Sequence, residues 1–208
     1  MNANEKAAWL SARCGRLSAS RMADAMDRLK NGKPGTRRAA LLKELCAERM
    51  TGDSVPHYVD ARMQRGLDLE PEGKGEYEMR TGRLLQPVGF VTHPDIPDFG
   101  ATSDALVTLP HGVATWEMKA PDTVRHIEYI LAGQQVPEQY QPQVVAQCAV
   151  HRLRHVVFVS YDPRVLNAAK RMHIVEWEVP AERIEEVEQA AREFLAELEA
   201  LFDAVATA

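Results

Sequence analysis

Two runs of strand-forming residues flank Pro110-His111-Gly112, and this hairpin constrains the fold more than any other stretch of the chain. Pairing residue 109 with residue 112 across the turn sets Asp104 opposite Glu117. Side chains alternate along a strand, so Glu117 and Lys119 share a face. The spacing therefore gathers two carboxylates and one ammonium on one patch. On most hairpins such a set is a solvated cross-strand ion pair. Here Val113, Ala114, Trp116 and Met118 make the second strand apolar, as a buried strand is. Charges in a buried strand are costly unless they are paired or hold a metal. Two carboxylates suit a hard cation such as Mg²⁺, which takes oxygen ligands and keeps several waters. A lysine beside them can orient or deprotonate an attacking water and offset charge on a phosphate. The chemistry expected of this patch is phosphodiester hydrolysis.

The hydrophobic pattern around the hairpin predicts its scaffold. Residues 5–14 and 18–29 read as helices, with Ser18 and Ser20 placed to cap the second. A helix opens at Thr36 and stops at Thr51-Gly52; another runs from about Tyr58 to Thr81, across Pro71, and stops at Gly82. Strands follow at 88–92, 99–102, 104–109 and 113–119, then helices at 123–132 and 137–151. Strands at 155–160 and 173–179 and a helix from Ala181 complete the order. That last helix carries Ile184, Val187, Ala191, Phe194, Leu198, Leu201 and Val205 at spacings of three and four. The stripe suits packing on its own sheet better than a subunit contact. The order predicts an α/β fold with a mixed central sheet flanked by helices.

With 208 residues, 45% of them hydrophobic, the chain is long enough for one globular nuclease unit over 1–208 with a real core. That unit divides into a helical region over 1–82 and a catalytic sheet with its helices over 83–208. No apolar run is long enough to span a membrane, and the first residues lack a secretory h-region. Cys14, Cys46 and Cys148 are odd in number and widely spaced, as reduced cytoplasmic thiols are. His93, His111, His126 and His173 form no zinc spacing and read as surface or strand residues. A net charge of −5 does not suit a chain that coats nucleic acid over its whole surface. The distribution is uneven, however. Arg13, Arg16, Arg21, Arg28, Lys30, Lys33, Arg37 and Arg38 face only Asp24 and Asp27 between Arg13 and Arg38. Such a run is either a solvated face or a local phosphate-binding surface.

Several other residues read as ordinary when taken alone. Glu70 is one of several acids on a helix, and Gln143 is a mid-helix glutamine. Arg13, Ser18 and Ser20 lie where a helix N-terminus attracts anions. Arg125 follows the Glu-Met-Lys strand after a short loop. Taken in order, the pattern Asp104…Glu117-x-Lys119, with an upstream acid and a following Gln helix, resembles the PD-(D/E)XK nuclease superfamily. Within it, the chain is similar to the phage recombination exonucleases of the YqaJ type, represented by bacteriophage lambda exonuclease. The similarity rests on Arg13-Cys-Gly-Arg-Leu-Ser-Ala-Ser20, Arg65-Gly-x(3)-Glu70, Ser103-Asp104, Glu117-Met-Lys-Ala-Pro121, Tyr140-x-x-Gln143 and Ser160-Tyr-Asp-Pro-Arg164. One departure is that Ser103 stands where the family has Pro before its first catalytic Asp.

The resemblance implies a restriction-endonuclease-like core and a Mg²⁺-dependent exonuclease. Such an enzyme degrades one strand of linear duplex DNA from its 5′ end to mononucleotides. It leaves a 3′ single strand for a single-strand-annealing recombination protein, and it works in the cytoplasm of a bacterial host carrying the phage or prophage. It also implies a homotrimer ring around DNA, with no membrane partner. Asp104 and Glu117 would ligate two Mg²⁺ ions, with the Met118 carbonyl contributing, Glu70 supporting the second ion and Mn²⁺ an open alternative. Lys119 would position or deprotonate the attacking water, and Gln143, next to Tyr140, would contact the nucleophile or scissile phosphate. Arg13, Ser18, Ser20, Ser103 and Arg125 would hold the terminal 5′-phosphate, since Arg grips phosphate through two parallel N–H bonds. Two other readings use the same residues: a structure- or site-specific endonuclease, and a non-enzymatic DNA-end-binding adaptor.

Overall fold

The structure, a computed structural model, describes residues 3–56 and 60–207. Its centre is the hairpin. Strands β5 (Ala105–Leu109) and β6 (Gly112–Lys119) pair antiparallel, with Leu109 opposite Gly112 and Ala105 opposite Trp116, the register expected from the turn. Beyond β6 the chain crosses over through α5 (Thr123–Leu131) and α6 (Gln141–His151) to reach β7 (His155–Tyr161). The crossover makes β7 parallel to β6, with Glu117 beside Phe158 and Lys119 beside Ser160. β8 (Met172–Glu178) pairs antiparallel with β7, and β2 (Leu85–Gln86) pairs antiparallel with β5 on the other edge. The order β2-β5-β6-β7-β8 is the mixed central sheet expected.

Both faces of β6 and β7 are covered, so both strands are buried along most of their length. On one face Val156, Phe158 and Val175 pack with Val144, Val145 and Cys148 of α6. Phe194 and Leu198 of α7 (Ala181–Ala206) close the same core. There the stripe of the last helix is buried from Val187 to Leu198 against α6 and α3 (Thr36–Thr51), within its own chain; Val205 stays exposed. On the other face Trp116, Met118, Val157 and Val159 pack with Tyr77 of α4 (Ala61–Thr81). Close approach of α4 to β6 depends on Gly73, where a Cβ would lie 2.2 Å from the Met118 sulfur.

A second, smaller sheet carries the chain into the hairpin. β1 (Leu17–Ser18) runs parallel to β4 (Phe99–Ala101), which pairs antiparallel with β3 (Val91–Thr92). The strand expected at 99–102 therefore lies outside the central sheet. Only Val91–Thr92 of the expected 88–92 run forms strand. Thr102, Ser103 and Asp104 bridge the two sheets, so Asp104 sits at a junction.

The N-terminal region departs most from expectation, since it contains β1. A 3₁₀ turn over Ala19–Arg21 leads into α2 (Met22–Ala25), four residues in place of a helix to residue 29. The reason is a bridged loop: Arg28 pairs with Pro34, the Leu29 N–H donates to the Lys33 carbonyl, and Gly32 turns the chain at positive φ. Ser18 makes no side-chain cap. α4 is capped instead by Asp60, whose side chain accepts the Arg62 and Met63 N–H groups. Tyr58, the expected start of α4, lies outside the described residues. Gly52 and Gly82 end α3 and α4 in the left-handed conformation, as their sequence positions predict. His93 and His126 are core residues, a correction to their reading as surface or strand positions. Their rings meet Glu188, and Ser160 with the Lys170 carbonyl, respectively.

Candidate active site

Strand alternation decides which way each residue of β6 points. Met118 and Trp116 face α4, while Glu117 and Lys119 face α6. Glu117 is buried, at 2% exposure, so every oxygen needs a donor. Lys119 Nζ and Gln143 Nε2 (2.7 Å) both donate to Oε1, and Gln147 Nε2 donates to Oε2 at 2.6 Å. Gln143 Oε1 accepts from Lys119 Nζ at 3.2 Å, closing a ring of three side chains. The ammonium also lies 5.1 Å from the centroid of the Tyr140 ring, within cation–π range.

Asp104 completes the trio at the sheet junction. Its Oδ2 accepts the Met118 N–H at 2.9 Å. Burial and then the Glu117 charge push the Asp104 carboxyl up to about 8, against Lys119 and that N–H; Glu70 adds to the push. For Lys119, burial lowers the ammonium but Glu117 and Asp104 outweigh it, and the net direction is up. The lysine is thus held as a cation by the two acids.

Hard carboxylate oxygens in charge excess are what a divalent cation needs, and Asp104, which burial and Glu117 disfavour as an anion more than Lys119 favours it, is the position that would gain most. The wider ligand set is less assembled. Glu70 bonds Lys74 at 2.6 Å, one turn along α4, and Glu117 is capped by three donors. Among the described residues no three His, Cys, Asp or Glu side chains are gathered as a metal-ligand group. The residues thus fit the chemistry of Mg²⁺ through their two-carboxylate centre.

The expected anion site divides in two. Arg13, at the end of α1 (Ala3–Arg13), donates to Ser18 Oγ at 3.1 Å and reaches Ser20 Oγ at 3.5 Å, with the two hydroxyls 3.2 Å apart. Its guanidinium lies 4.2 Å over the Trp9 ring. The basic run around it is largely neutralised. Arg16 pairs with Asp98, Arg21 with Glu44 and Asp24, Arg28 with Glu193, Arg37 with Asp27, and buried Arg38 with Glu197. Of the arginines in that run, only Arg13 makes no ion pair among the described residues. The cluster is therefore one unpaired guanidinium with two hydroxyls; with α2 only four residues long, no helix N-terminus of consequence is involved. Arg125 is exposed on α5, near the Tyr129 hydroxyl. Tyr129 packs on Tyr140, the ring beside Lys119, so Arg125 borders the site through these two tyrosines. Ser103 is buried, its hydroxyl 3.3 Å from His151 Nε2, one residue from Asp104.

The sequence pattern of the YqaJ-like viral recombinase domain matches residues 8–154. The chain belongs to that family. Solved structures agree. LHK-Exo, an alkaline exonuclease from Laribacter hongkongensis, is 34% identical over 97% of this chain and 96% of its own, with a TM-score of 0.85. A structure of LHK-Exo in complex with dAMP is 34% identical over 96% and 95% of the two chains, again with a TM-score of 0.85. A phage-related exonuclease from Haemophilus somnus 129PT, 12% identical, covers 91% of this chain and 96% of its own at a TM-score of 0.69 and shares the fold. No curated protein matches. The YqaJ-type chain is thus an alkaline-exonuclease-like nuclease with a restriction-endonuclease-like core.

The structure also brings in residues that the sequence reading left without a role. Gln147 lies one turn beyond Gln143, and i,i+4 spacing on α6 is its only signal. Trp9 and Thr102 join the Arg13 cluster to it, since Trp9 Nε1 donates to Thr102 Oγ1 at 3.0 Å and Gln147 Nε2 lies 3.4 Å from the Thr102 carbonyl. Arg65 and Asp162 fasten α4 behind the site. Arg65 donates to the Ala120 and Pro121 carbonyls and to Asp162, which also receives Thr123 and Arg164.

Proposed function

We propose that this YqaJ-type chain is a Mg²⁺-dependent exonuclease acting on linear double-stranded DNA. It removes nucleotides from the 5′ end as mononucleotides and leaves a 3′ single-stranded tail. The observation that carries the reading is one continuous set of contacts from Arg13, without an ion pair among the described residues, and its two hydroxyls to the Asp104–Glu117–Lys119 centre. One end fits a terminal phosphate, and the other fits the phosphodiester to be cut. The capture of dAMP by LHK-Exo supports a mononucleotide product.

Each residue has a task that follows from its surroundings. Asp104, Glu117 and the Met118 carbonyl would hold Mg²⁺, with Glu70 released from Lys74 to support a second ion. Bound there, a divalent ion would supply charge stabilisation for displacement at the phosphate. Lys119, held protonated by the two acids, orients the attacking water and takes up charge developing on the phosphate. Gln143 is half-buried, with its amide shared between Glu117 and Lys119, and it turns toward the nucleophile or the scissile phosphate when substrate enters. Arg13, Ser18 and Ser20 bind the 5′-phosphate, Ser103 shapes that side of the junction, and Arg125 reaches the substrate past Tyr129 and Tyr140.

The 208 residues act as a single nuclease unit. A homotrimeric ring explains how a chain of net charge −5, with most of its basic run internally paired, keeps hold of DNA: enclosure supplements salt-sensitive phosphate contacts. A single-strand-annealing protein takes up the 3′ tail, in a bacterial cytoplasm. No helix among the described residues is long and apolar enough to cross a membrane.

The test is digestion of one linear duplex labelled separately at each 5′ and 3′ end, with Mg²⁺ and with EDTA. Loss of 5′ label as mononucleotide, in Mg²⁺ only, is expected. Closed circular DNA cut as fast as linear DNA would overturn the reading.

A further inference from the structure

Gln143 and Gln147 stand four residues apart on α6, so both amides face Glu117. They are not equivalent. Gln143 is half-buried at the open side of the site and can exchange partners with substrate. Gln147 is fully buried, at 0% exposure, and can act only through what it holds. Its Nε2 donates to Glu117 Oε2 at 2.6 Å and lies 3.4 Å from the Thr102 carbonyl. Both partners are acceptors, which fixes the amide with its nitrogen toward them. Its Oε1 is then left buried with no partner among the described residues.

That arrangement costs stability. An unsatisfied buried carbonyl is destabilising, and an apolar side chain of similar shape would suit the Val144, Val145 and Cys148 core better. Packing therefore does not account for an amide here; its bond to Glu117 does. The second link leads away from the carboxylate. Thr102 Oγ1 accepts the Trp9 indole N–H at 3.0 Å, and the indole lies beneath Arg13, which holds Ser18 and Ser20. Between Trp9 and Glu117 the loosest contact is the 3.4 Å one between Gln147 and Thr102, well beyond the usual N–H···O distance. It is the one that a shift of Trp9 and Thr102 can tighten.

Resting on the exonuclease reading, we propose that Gln147 is a positioning residue that aims Glu117 and, through Thr102 and Trp9, links an occupied Arg13 cluster to turnover. An anion on Arg13 steadies the indole beneath it, the indole N–H steadies Thr102, and Gln147 is then held from two sides. A 5′-phosphate thus raises the rate of cleavage as well as the affinity for the end.

The experiment compares wild type, Gln147→Met, Trp9→Phe and the double variant in single-turnover digestion of 5′-phosphorylated and 5′-hydroxyl duplex with Mg²⁺. Anisotropy of labelled duplex ends in EDTA reports binding without chemistry, and shows that each variant is folded. Gln147→Met is expected to slow cleavage by about 10–100-fold, the usual effect of losing a partner behind a ligand. Its binding to the phosphorylated end stays at the wild-type level. Trp9→Phe, which keeps the ring and loses the N–H, narrows the rate ratio between the two ends, and the double variant narrows it no further than Gln147→Met alone. A wild-type rate in Gln147→Met overturns the proposal, as does a parallel loss of binding and rate. A Trp9→Phe protein with the full ratio overturns the link to Arg13. If wild type shows no Mg²⁺-dependent nucleolysis, the exonuclease reading falls and this role with it; if wild type degrades DNA and Gln147→Met is unaffected, only the role of Gln147 falls.

Discussion

Asp104 and Asp162 stand at ends of neighbouring parts of the central sheet, and their surroundings treat their charges in opposite ways. Asp162 follows β7, is fully buried, and receives Arg65, Arg164 and Thr123. Burial alone would raise its carboxyl, but the Arg164 and Thr123 hydrogen bonds hold it well below the usual carboxylate range. Asp104 has Glu117 and Glu70 nearby and is pushed up to about 8. The first aspartate has its charge satisfied and fastens α4 to the sheet. The second is left in a field of like charge that a proton or a cation relieves. The contrast separates residues that hold the fold from residues that await something from solution.

Substitution at each position should split stability from activity. Asp104→Asn should cut nucleolysis by about 10²–10³-fold, the scale of losing one electrostatic group at a reacting centre. In EDTA near pH 9 the same variant should be at least as stable as wild type, because it removes an unfavourable charge. Asp162→Ala should do the reverse: about 3 kcal/mol lost in urea unfolding, the low end for a broken buried pair because both arginines reach water. Its folded fraction should still cut DNA. An Asp104→Asn protein that unfolds as easily as Asp162→Ala would erase the distinction.

The pH dependence of stability sharpens it further, at smaller magnitude. Folded Asp104 keeps its proton to about 8, whereas the unfolded carboxyl releases it near 3.8. Its stabilising contribution is full below about 3.8 and is lost as pH rises through about 8. Asp162 has the opposite sign: its contribution is full above 3.8 and is lost as pH falls toward its depressed folded value. In EDTA, the stability of wild type minus that of Asp104→Asn should therefore fall as pH rises across that window. Mg²⁺ should restore more stability at the alkaline end, where it competes with fewer protons. A flat difference curve would mean that Asp104 is not in the field described.

Much of the Asp104 side of this comparison was legible in the sequence. The Pro110-His111-Gly112 turn and the alternation of β6 set the register, and so the meeting of Asp104, Glu117 and Lys119. Register is a local property, fixed by a turn and a period of two. The rest depended on distant partners. β1 is two residues long and exists because β4, some eighty residues on, pairs with it. The basic run from Arg13 to Arg38 looked like a free surface because three of its acids, Glu193, Glu197 and Asp98, lie far along the chain. Gln147 carries no local mark, since a mid-helix glutamine reads as exposed until the carboxylate it meets is known. Arg65 and Asp162 were visible as parts of a motif, but not as a clamp.

The smallest expected effect concerns the two arginines assigned to the 5′-phosphate, and it asks whether the anion site belongs with the acids or stands apart. Arg13 makes no ion pair among the described residues, is half-buried over Trp9, and holds two hydroxyls in place. Burial lowers its guanidinium from the ordinary value, a cost that an arriving phosphate would offset. Arg125 is exposed, and water already satisfies most of its charge. Arg13→Ala should therefore abolish most of the preference for 5′-phosphorylated over 5′-hydroxyl ends. Arg125→Ala should weaken it only a few-fold, within the roughly 1 kcal/mol typical of an exposed charge. The two losses should also differ with salt, because screening acts more strongly on the exposed residue. Raising ionic strength should shrink the Arg125 effect first and leave the Arg13 effect nearly intact. Equal effects at low salt that fade together would place both arginines on one solvated surface and remove the link between Arg13 and the buried carboxylates.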